Sequence, residues 1–192
     1  MIIVIDPGHD ATTPGKRSPQ IPPGIMEYKF NRNVANFCSV KLSELNKFSE
    51  IELSTISTVP DDPYQKVALR KRRAISGDIF LSIHANAIGN GGWRNRPTDR
   101  GAIIFCNKVG LPLAKKLIST YCDLIYEIPK RRSGAEVNNS LYVLKNQNRP
   151  AILIECGMMT HYDEAKFLSN SYSQFRIGEA IAIGLYENLG LK

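Results

Sequence analysis

Short apolar runs alternate with longer helical patterns along the chain, and this alternation constrains the fold more than any other feature. Six short runs predict strands, and five longer segments predict helices. Several strands are continuously apolar, which is typical of a sheet covered on both faces, so the pattern predicts a layered α/β fold. The predicted strands are Ile2–Ile5, Ile51–Ser57, Asp78–Ile83, Gly101–Cys106, Leu141–Val143 and Ala151–Ile154. The predicted helices are Tyr28–Asn46, Pro63–Ser76, Leu111–Tyr126, Asp163–Leu168 and Tyr172–Leu189.

The length of the chain, 192 residues, suits one domain with a full hydrophobic core. None of its apolar runs approaches the ~20 residues needed to cross a bilayer, so no membrane insertion is expected. The first apolar run, Ile2–Ile5, has no basic segment before it and no cleavage site after it. We interpret it as a strand rather than a signal peptide, and we expect synthesis in the cytoplasm.

The formal net charge of +7 favours polyanionic partners such as nucleic acid, an anionic membrane surface or an anionic cell-wall polymer. Basic residues cluster at Arg70–Arg73, around Arg94–Arg100 and at Lys130–Arg132, and we interpret all three clusters as solvated surface. No nucleic-acid-binding motif accompanies them, so we predict no nucleic-acid partner. The sequence does not predict an oligomeric state.

The four cysteines are widely spaced and form no C-x-x-C pair. At this density, in a chain with no predicted leader, they are interpreted as buried free thiols rather than a disulfide framework. The four residues are Cys38, Cys106, Cys122 and Cys156.

Titratable side chains follow three of the predicted strands. His9 follows the first strand through the turn Asp6-Pro7-Gly8, and His84 and Glu155 directly follow the strands that end at Ile83 and Ile154. If these strands are parallel, their carboxyl ends converge on one crevice, where open α/β sheets bind their ligands. A charge at the end of so apolar a strand needs a partner, and a metal ion or a charge pair would provide one.

Two imidazoles and a carboxylate, with a fourth position open to water, form a typical catalytic zinc site. A second carboxylate, not bound to the metal, can then take a proton from that water. The candidates are Glu155 and Glu27, which ends a long loop over residues 10–25 and opens the first predicted helix. The loop is long enough to fold back to His9, but spacing alone leaves open which glutamate binds metal.

Other polar residues near these motifs have weaker assignments. His161 lies near the start of a helix and is interpreted as a cap or a surface residue. Asp6 either orients His9 or is a turn residue before Pro7, and the turn role is favoured. Asn86 either donates a hydrogen bond near the metal or is structural, and a second long loop follows it over residues 87–100.

In order along its whole length, the chain resembles the catalytic domain of the zinc-dependent N-acetylmuramoyl-L-alanine amidases, the Amidase_3 family. The resemblance implies that His9, Glu27 and His84 bind Zn²⁺ and that Glu155 is the general acid/base. It also implies a twisted, mostly parallel six-stranded sheet in a three-layer arrangement, with residues 1–192 forming one catalytic domain. The motifs that carry the resemblance are Ile3–His9 (IVIDPGH), Gly24–Glu27 (GIME), Leu81–Ala87 (LSIHANA), Leu141–Leu144 (LYVL) and Arg149–Gly157 (RPAILIECG).

The function implied by this resemblance is cleavage of peptidoglycan at the amide between N-acetylmuramic acid and the L-alanine of the stem peptide. The absence of a predicted leader suggests a phage-type lysin, made in the cytoplasm and released by lysis. Another zinc hydrolase acting on the cell wall is an alternative, although the sequence has no H-E-x-x-H motif. A basic, non-enzymatic module that binds an anionic cell-wall polymer is a second alternative.

Overall fold

A computed structural model describes residues 1–47 and 54–190 of the chain. In these residues six strands form one sheet, and five helices pack around it as a single α/β domain. The strands are β1 (Ile2–Pro7), β2 (Ser54–Ser57), β3 (Ile79–Asn86), β4 (Ala102–Cys106), β5 (Lys130–Val137) and β6 (Ala151–Met158). The helices are α1 (Glu27–Asn46), α2 (Leu69–Ala74), α3 (Leu111–Leu124), α4 (Tyr162–Ser169) and α5 (Ser171–Asn188), with a short 3₁₀ turn at Pro97–Asp99.

The sheet has the strand order β2-β1-β3-β6-β4-β5. The first four strands of that order are parallel, whereas β4 pairs with β6 in the antiparallel direction and β5 runs parallel to β4. The predicted mostly parallel six-stranded sheet is therefore confirmed. Because β1, β3 and β6 are parallel neighbours, their carboxyl ends lie side by side at one edge of the sheet.

The predicted strand Leu141–Val143 is wrong, because these residues lie in a turn. Their apolar character comes instead from packing, since Val143 is buried against the sheet. The strand that the prediction missed is β5 (Lys130–Val137). It lies at the edge of the sheet, where one side has no neighbouring strand among the described residues. Edge strands commonly carry charged residues. In the sequence, the start of this strand is therefore interpreted as a basic surface cluster.

The predicted helix Pro63–Ser76 is much shorter in the structure, where only Leu69–Ala74 is helical. The preceding residues form turns, and the backbone N–H of Tyr64 donates to Asp62 Oδ1 at 2.9 Å. Such side-chain capping of a turn competes with helix formation. Of the predicted strand Ile51–Ser57, residues 54–57 form β2 and residues 51–53 lie outside the described residues.

One face of the sheet is covered by α1, α3 and α5, which bury the main hydrophobic core against it. On this face the residues of the central strands β1, β3 and β6 are apolar and almost fully buried. They include Ile3 and Ile5 of β1, Leu81 and Ile83 of β3, and Ile152 and Ile154 of β6. We call this the helix face.

The opposite face of the sheet has thinner cover, provided by α2 and the segment 141–149, and we call it the open face. Its apolar residues form a smaller cluster that includes Val4, Phe80 and Leu153. The guanidinium of Arg149 lies 5.3 Å from the centre of the Phe80 ring and donates to the Gly77 carbonyl at 3.0 Å. These contacts anchor the 141–149 segment on the sheet and leave the carboxyl ends of the strands accessible.

The four cysteines are free thiols, as predicted. Three of them are buried, and Cys122 is half-buried. Among the helices of the described residues, none combines the length and the apolar character that crossing a membrane requires.

Candidate metal centre

Polar side chains replace apolar ones on the open face where β1, β3 and β6 end. Asp6 lies beside Ser82 in the β1–β3 register, and His84 lies beside Glu155 in the β3–β6 register. Alternate residues of a strand point to opposite faces, so these four side chains share the open face while their neighbours fill the core of the helix face. Parallel pairing therefore brings His84 and Glu155 together, although they are 71 positions apart in the sequence.

His9 leaves the end of β1 in a left-handed backbone conformation, with a φ of 61°. Non-glycine residues rarely adopt this region, and it often marks a functional position. Gly8 packs against the His84 ring, so that a Cβ atom at position 8 would overlap the imidazole. The buried Asn31 of α1 donates to the Gly8 carbonyl at 2.8 Å and ties this turn to the first helix.

Glu27 returns to His9 because the long loop between them folds back on itself. The backbone N–H of Ser18 donates to the Ile25 carbonyl at 2.9 Å, and the N–H of Glu27 donates to the Lys16 carbonyl, also at 2.9 Å. Glu27 is the first residue of α1 and is only 2% exposed. The loop therefore places a buried carboxylate beside His9, as its length had suggested.

Three donor atoms from distant parts of the chain surround one point. Glu27 Oε1 lies 3.0 Å from His84 Nδ1 and 3.3 Å from His9 Nε2, and the ligand atoms of all three residues lie within 4.8 Å of one another. Two ligands that are each about 2.0–2.1 Å from a tetrahedral zinc ion are separated by roughly 3.3 Å. The donor set and its spacing therefore fit a zinc ion.

The electrostatics of the cluster keep Glu27 ionised. Burial raises the pKa of the Glu27 carboxyl, but hydrogen bonds from His84 and His9 outweigh it and lower the pKa to about 2. Burial lowers the pKa of His84, whereas its hydrogen bond to Glu27 raises it, and the net direction is upward. A carboxylate held between two imidazoles in this way is a ready site for a cation.

Glu155 lies beside this cluster but is not one of its three donor residues. Its Oε2 atom is buried and has no hydrogen-bond partner in the described part of the chain. Burial raises the pKa of Glu155 to about 7; nearby His84 lowers it and the charge on Glu27 raises it further. An unpaired carboxylate with a raised pKa is suited to accept and return a proton near neutral pH.

A pocket of about 390 Å³ opens on the open face beside His9 and His84. Its walls are mostly apolar, and its sides come from the 67–72 segment and the 141–143 turn. Tyr142 stands at this turn and is 45% exposed, with the guanidinium of Arg73 4.7 Å from the centre of its ring. The three donor residues thus border a recess large enough for part of a substrate.

A model of the N-acetylmuramoyl-L-alanine amidase family, Amidase_3, matches residues 3–187. The chain belongs to this family. The amidase LytC of Bacillus subtilis (strain 168) is 24% identical over 186 residues, a match that covers 95% of this chain and 34% of LytC. The chain therefore spans about a third of that relative.

Two solved amidase structures match this chain along nearly their whole length. AmiC2 of Nostoc punctiforme superposes with a TM-score of 0.82 at 26% identity, covering 98% of this chain and 97% of AmiC2. An amidase from Clostridium difficile 630 superposes with a TM-score of 0.79 at 29% identity, covering 100% of this chain and 97% of the other. The α/β architecture described above is thus that of an amidase domain.

Within this amidase domain, sequence reasoning missed the network around Asp6. Asp6 is fully buried in β1 and accepts hydrogen bonds from Ser82 and Arg72, so its interpretation as a turn residue is wrong. Through Ser82, its hydrogen bonds lead to the His84 ring, whereas no hydrogen bond between Asp6 and His9 is found in the described residues. Arg72 is also buried, which contradicts the interpretation of its basic cluster as solvated surface. The available signal was a lone aspartate inside an apolar strand.

The structure also shows where His161 and Asn86 lie. His161 occupies the N-cap position of α4, but it is buried, and its side chain makes no capping hydrogen bond in the described residues. Asn86 Oδ1 accepts a hydrogen bond from the Ala87 N–H at 2.8 Å, which is a structural contact at the end of β3. The long loop that follows packs on the start of α4, where Trp93 meets Tyr162 edge to face at 5.3 Å.

Proposed function

We propose that this chain is a zinc-dependent N-acetylmuramoyl-L-alanine amidase that hydrolyses the amide between N-acetylmuramic acid and the L-alanine of the stem peptide. One observation carries the proposal: two imidazoles and a carboxylate converge around one point, beside a buried glutamate whose Oε2 has no hydrogen-bond partner in the described part of the chain. The family match along residues 3–187 supports the same reaction. We further propose that residues 1–192 act as one catalytic domain with peptidoglycan as its partner.

His9, Glu27 and His84 would hold the zinc ion, with one negative charge from Glu27 and two neutral imidazole nitrogens. When bound there, zinc would polarise the scissile carbonyl and lower the pKa of a water molecule. The positions of these residues at the carboxyl ends of β1 and β3 leave the open face available for the substrate amide.

Glu155 is the proposed general acid/base. Its buried Oε2 would accept the proton of the attacking water and then deliver it to the leaving nitrogen of L-alanine. Its position in β6, directly beside His84 in β3, supports this role, because it would lie next to the reacting carbonyl without being a metal ligand. One residue can serve both steps because a pKa near neutrality lets it take up and release a proton.

The pocket beside the centre would receive part of the substrate. Its mostly apolar walls suit the methyl-bearing groups near the scissile amide, and exposed Tyr142 can pack against a sugar ring or peptide at its mouth. The net charge of +7 would favour approach to an anionic cell wall.

The decisive experiment is digestion of purified peptidoglycan followed by mass spectrometry of the products. An amidase releases intact stem peptides with a new N-terminal alanine, chelator stops the release, and added zinc restores it. His84→Ala should lose both metal and activity, because one of the three donors is gone. His161→Asn removes the imidazole outside the cluster while keeping a good N-cap residue, so it should retain the metal.

Other products would refute the proposed reaction. Release of free C-terminal amino acids or of acetate would identify a different zinc hydrolase. Wall binding that is unaffected by chelator and releases no new amines would indicate the non-enzymatic binding module instead.

The cellular setting stays a prediction from the sequence. We propose that the chain reaches the bacterial cell wall after release by phage-type lysis. Detection of an exported, cleaved precursor in the native host would contradict it.

A further inference from the structure

A chain of hydrogen bonds runs from α2 through β1 and β3 to the His84 ring. Arg72 Nε donates to Asp6 Oδ1 at 2.6 Å, and the Arg72 guanidinium also donates to the Pro7 carbonyl. Ser82 Oγ donates to Asp6 Oδ2 at 2.5 Å, and the same oxygen lies 3.1 Å from His84 Nε2. Asp6, Arg72 and Ser82 are all almost fully buried. We call these three residues the relay.

Counting donors fixes the direction of the last hydrogen bond. Asp6 is paired with the Arg72 guanidinium and is therefore a carboxylate, which can only accept hydrogen bonds. The single O–H of Ser82 is committed to Asp6, so Ser82 Oγ has only lone pairs to offer His84. His84 Nε2 must then carry a hydrogen and donate it to Ser82.

This assignment determines what the other ring nitrogen can do. In a neutral ring with hydrogen on Nε2, Nδ1 carries a lone pair, and Nδ1 is the atom that lies 3.0 Å from Glu27 Oε1. Two acceptors at this distance repel each other unless a proton or a cation lies between them. The relay therefore leaves two possible occupants for this gap: the proton of the His84–Glu27 hydrogen bond, or a metal ion at the point that His9 also faces.

We propose that Asp6 and Ser82, anchored by Arg72, are positioning residues that make Nδ1 the metal-binding atom of His84 and thereby set the affinity of the centre for zinc. This inference rests on the proposed metal site and goes beyond it. Removal of the Ser82 hydroxyl would leave Nε2–H without its acceptor. The ring would then favour a hydrogen on Nδ1, donated to Glu27, and zinc would have to displace that proton.

The direct test is ¹⁵N NMR of the imidazoles in the zinc-loaded wild-type protein. We expect His84 to show a protonated Nε2 and a metal-bound Nδ1. Zinc bound through Nε2 would overturn the proposal and leave the metal site standing. A wild-type protein that binds no zinc would refute the proposed function itself, so the two failures are distinguishable.

Zinc affinity in matched variants supplies a readout independent of activity. Ser82→Ala should weaken zinc binding by about 10- to 100-fold in a competition titration with a chromophoric chelator. Thr58→Val is the matched control, because Thr58 Oγ1 also donates to Asp6, at 2.6 Å, but lies outside the path to His84. Its zinc affinity should change by less than about threefold.

Two outcomes of this titration would overturn the proposal. One is wild-type zinc affinity in a folded Ser82→Ala variant. The other is an equal loss in Thr58→Val, which would indicate general loosening around Asp6 rather than control of His84. If Ser82→Ala does not fold, the NMR assignment in the wild-type protein decides alone.

Discussion

The two faces of the central sheet are made by alternate residues of the same strands, yet they have opposite characters. In β3, Leu81 and Ile83 point to the helix face and are completely buried among α1, α3 and α5. The alternate residues Ser82 and His84 point to the open face, where a hydrogen bond joins Ser82 Oγ to His84 Nε2. In β6, likewise, Ile154 points to the helix face and Glu155 points to the open face. A one-residue shift in register would exchange the two sets.

This difference assigns stability and chemistry to separate sides of one strand. The helix face buries large aliphatic side chains, which contribute most of the free energy of folding. The open face carries buried charges that cost free energy unless each is paired, as Asp6 is with Arg72. Glu155 Oε2 has no hydrogen-bond partner within residues 1–47 and 54–190, which is costly for stability but would suit the proton transfer that we propose for it.

Among the substitutions that compare the two faces, one at Glu155 should have the largest effect on the catalytic rate. Glu155→Gln should reduce amidase activity by about 10²–10⁴-fold, because the amide cannot carry the proton from water to the leaving nitrogen. Zinc content should stay at the wild-type level, since Glu155 is not among the three donors. Steady-state kinetics on peptidoglycan and metal analysis of the same sample would check both expectations.

Glu44→Gln provides the matched control for this substitution. Glu44 lies at the surface of α1 and pairs only weakly with Lys41, at 3.5 Å, so its loss should leave the rate unchanged. A Glu155→Gln variant with near-wild-type activity would remove Glu155 from the mechanism. A variant without zinc would instead show that Glu155 belongs to the metal site.

A pair of leucine substitutions compares the two faces directly. Leu81→Ala should lower the free energy of unfolding by about 2–5 kcal/mol, because it leaves a cavity under the helices, while the rate per folded molecule stays unchanged. Leu153→Ala removes a leucine from the wall of the pocket, so the space it leaves is open to substrate and solvent. We expect a smaller loss of stability and a change in KM.

Chemical denaturation and kinetics on both variants would measure this contrast. If Leu81→Ala reduced the rate per folded molecule as much as Leu153→Ala, the separation between the faces would be wrong. The same holds if the stability losses were equal.

Local patterns predicted most of the fold, since apolar runs and helical periodicity are properties of short segments. The two main errors have a common cause. Lys130–Val137 is a strand because it pairs with β4, and its own residues do not indicate this. Leu141–Val143 resembles a strand because it packs on the open face, where burial selects the same residues. Tertiary contacts decided both cases, and propensity did not.

At the site, the titratable residues at strand ends were visible in the sequence, and the structure brings His9, Glu27 and His84 together. The relay was not visible. Arg72 lies among four consecutive positions that carry three arginines and a lysine, and only the packing of α2 on β1 distinguishes this buried residue from its more accessible neighbours. Ser82 looks like an ordinary strand residue until its register beside Asp6 is known.

The smallest expected effect concerns the rim of the pocket on the open face. Tyr142→Ala should raise KM roughly fivefold with kcat unchanged, because losing an aromatic contact costs about 1 kcal/mol of binding and the ring lies away from the metal donors. Tyr172→Ala, at an exposed tyrosine of α5, which packs on the helix face, is the matched control and should leave both constants unchanged. Steady-state kinetics on soluble peptidoglycan fragments would separate KM from kcat. A fall in kcat alone would indicate that Tyr142 takes part in the chemical step. No change in either constant would mean that the substrate does not enter this pocket. The open face would then serve catalysis only where the proposed metal ligands lie.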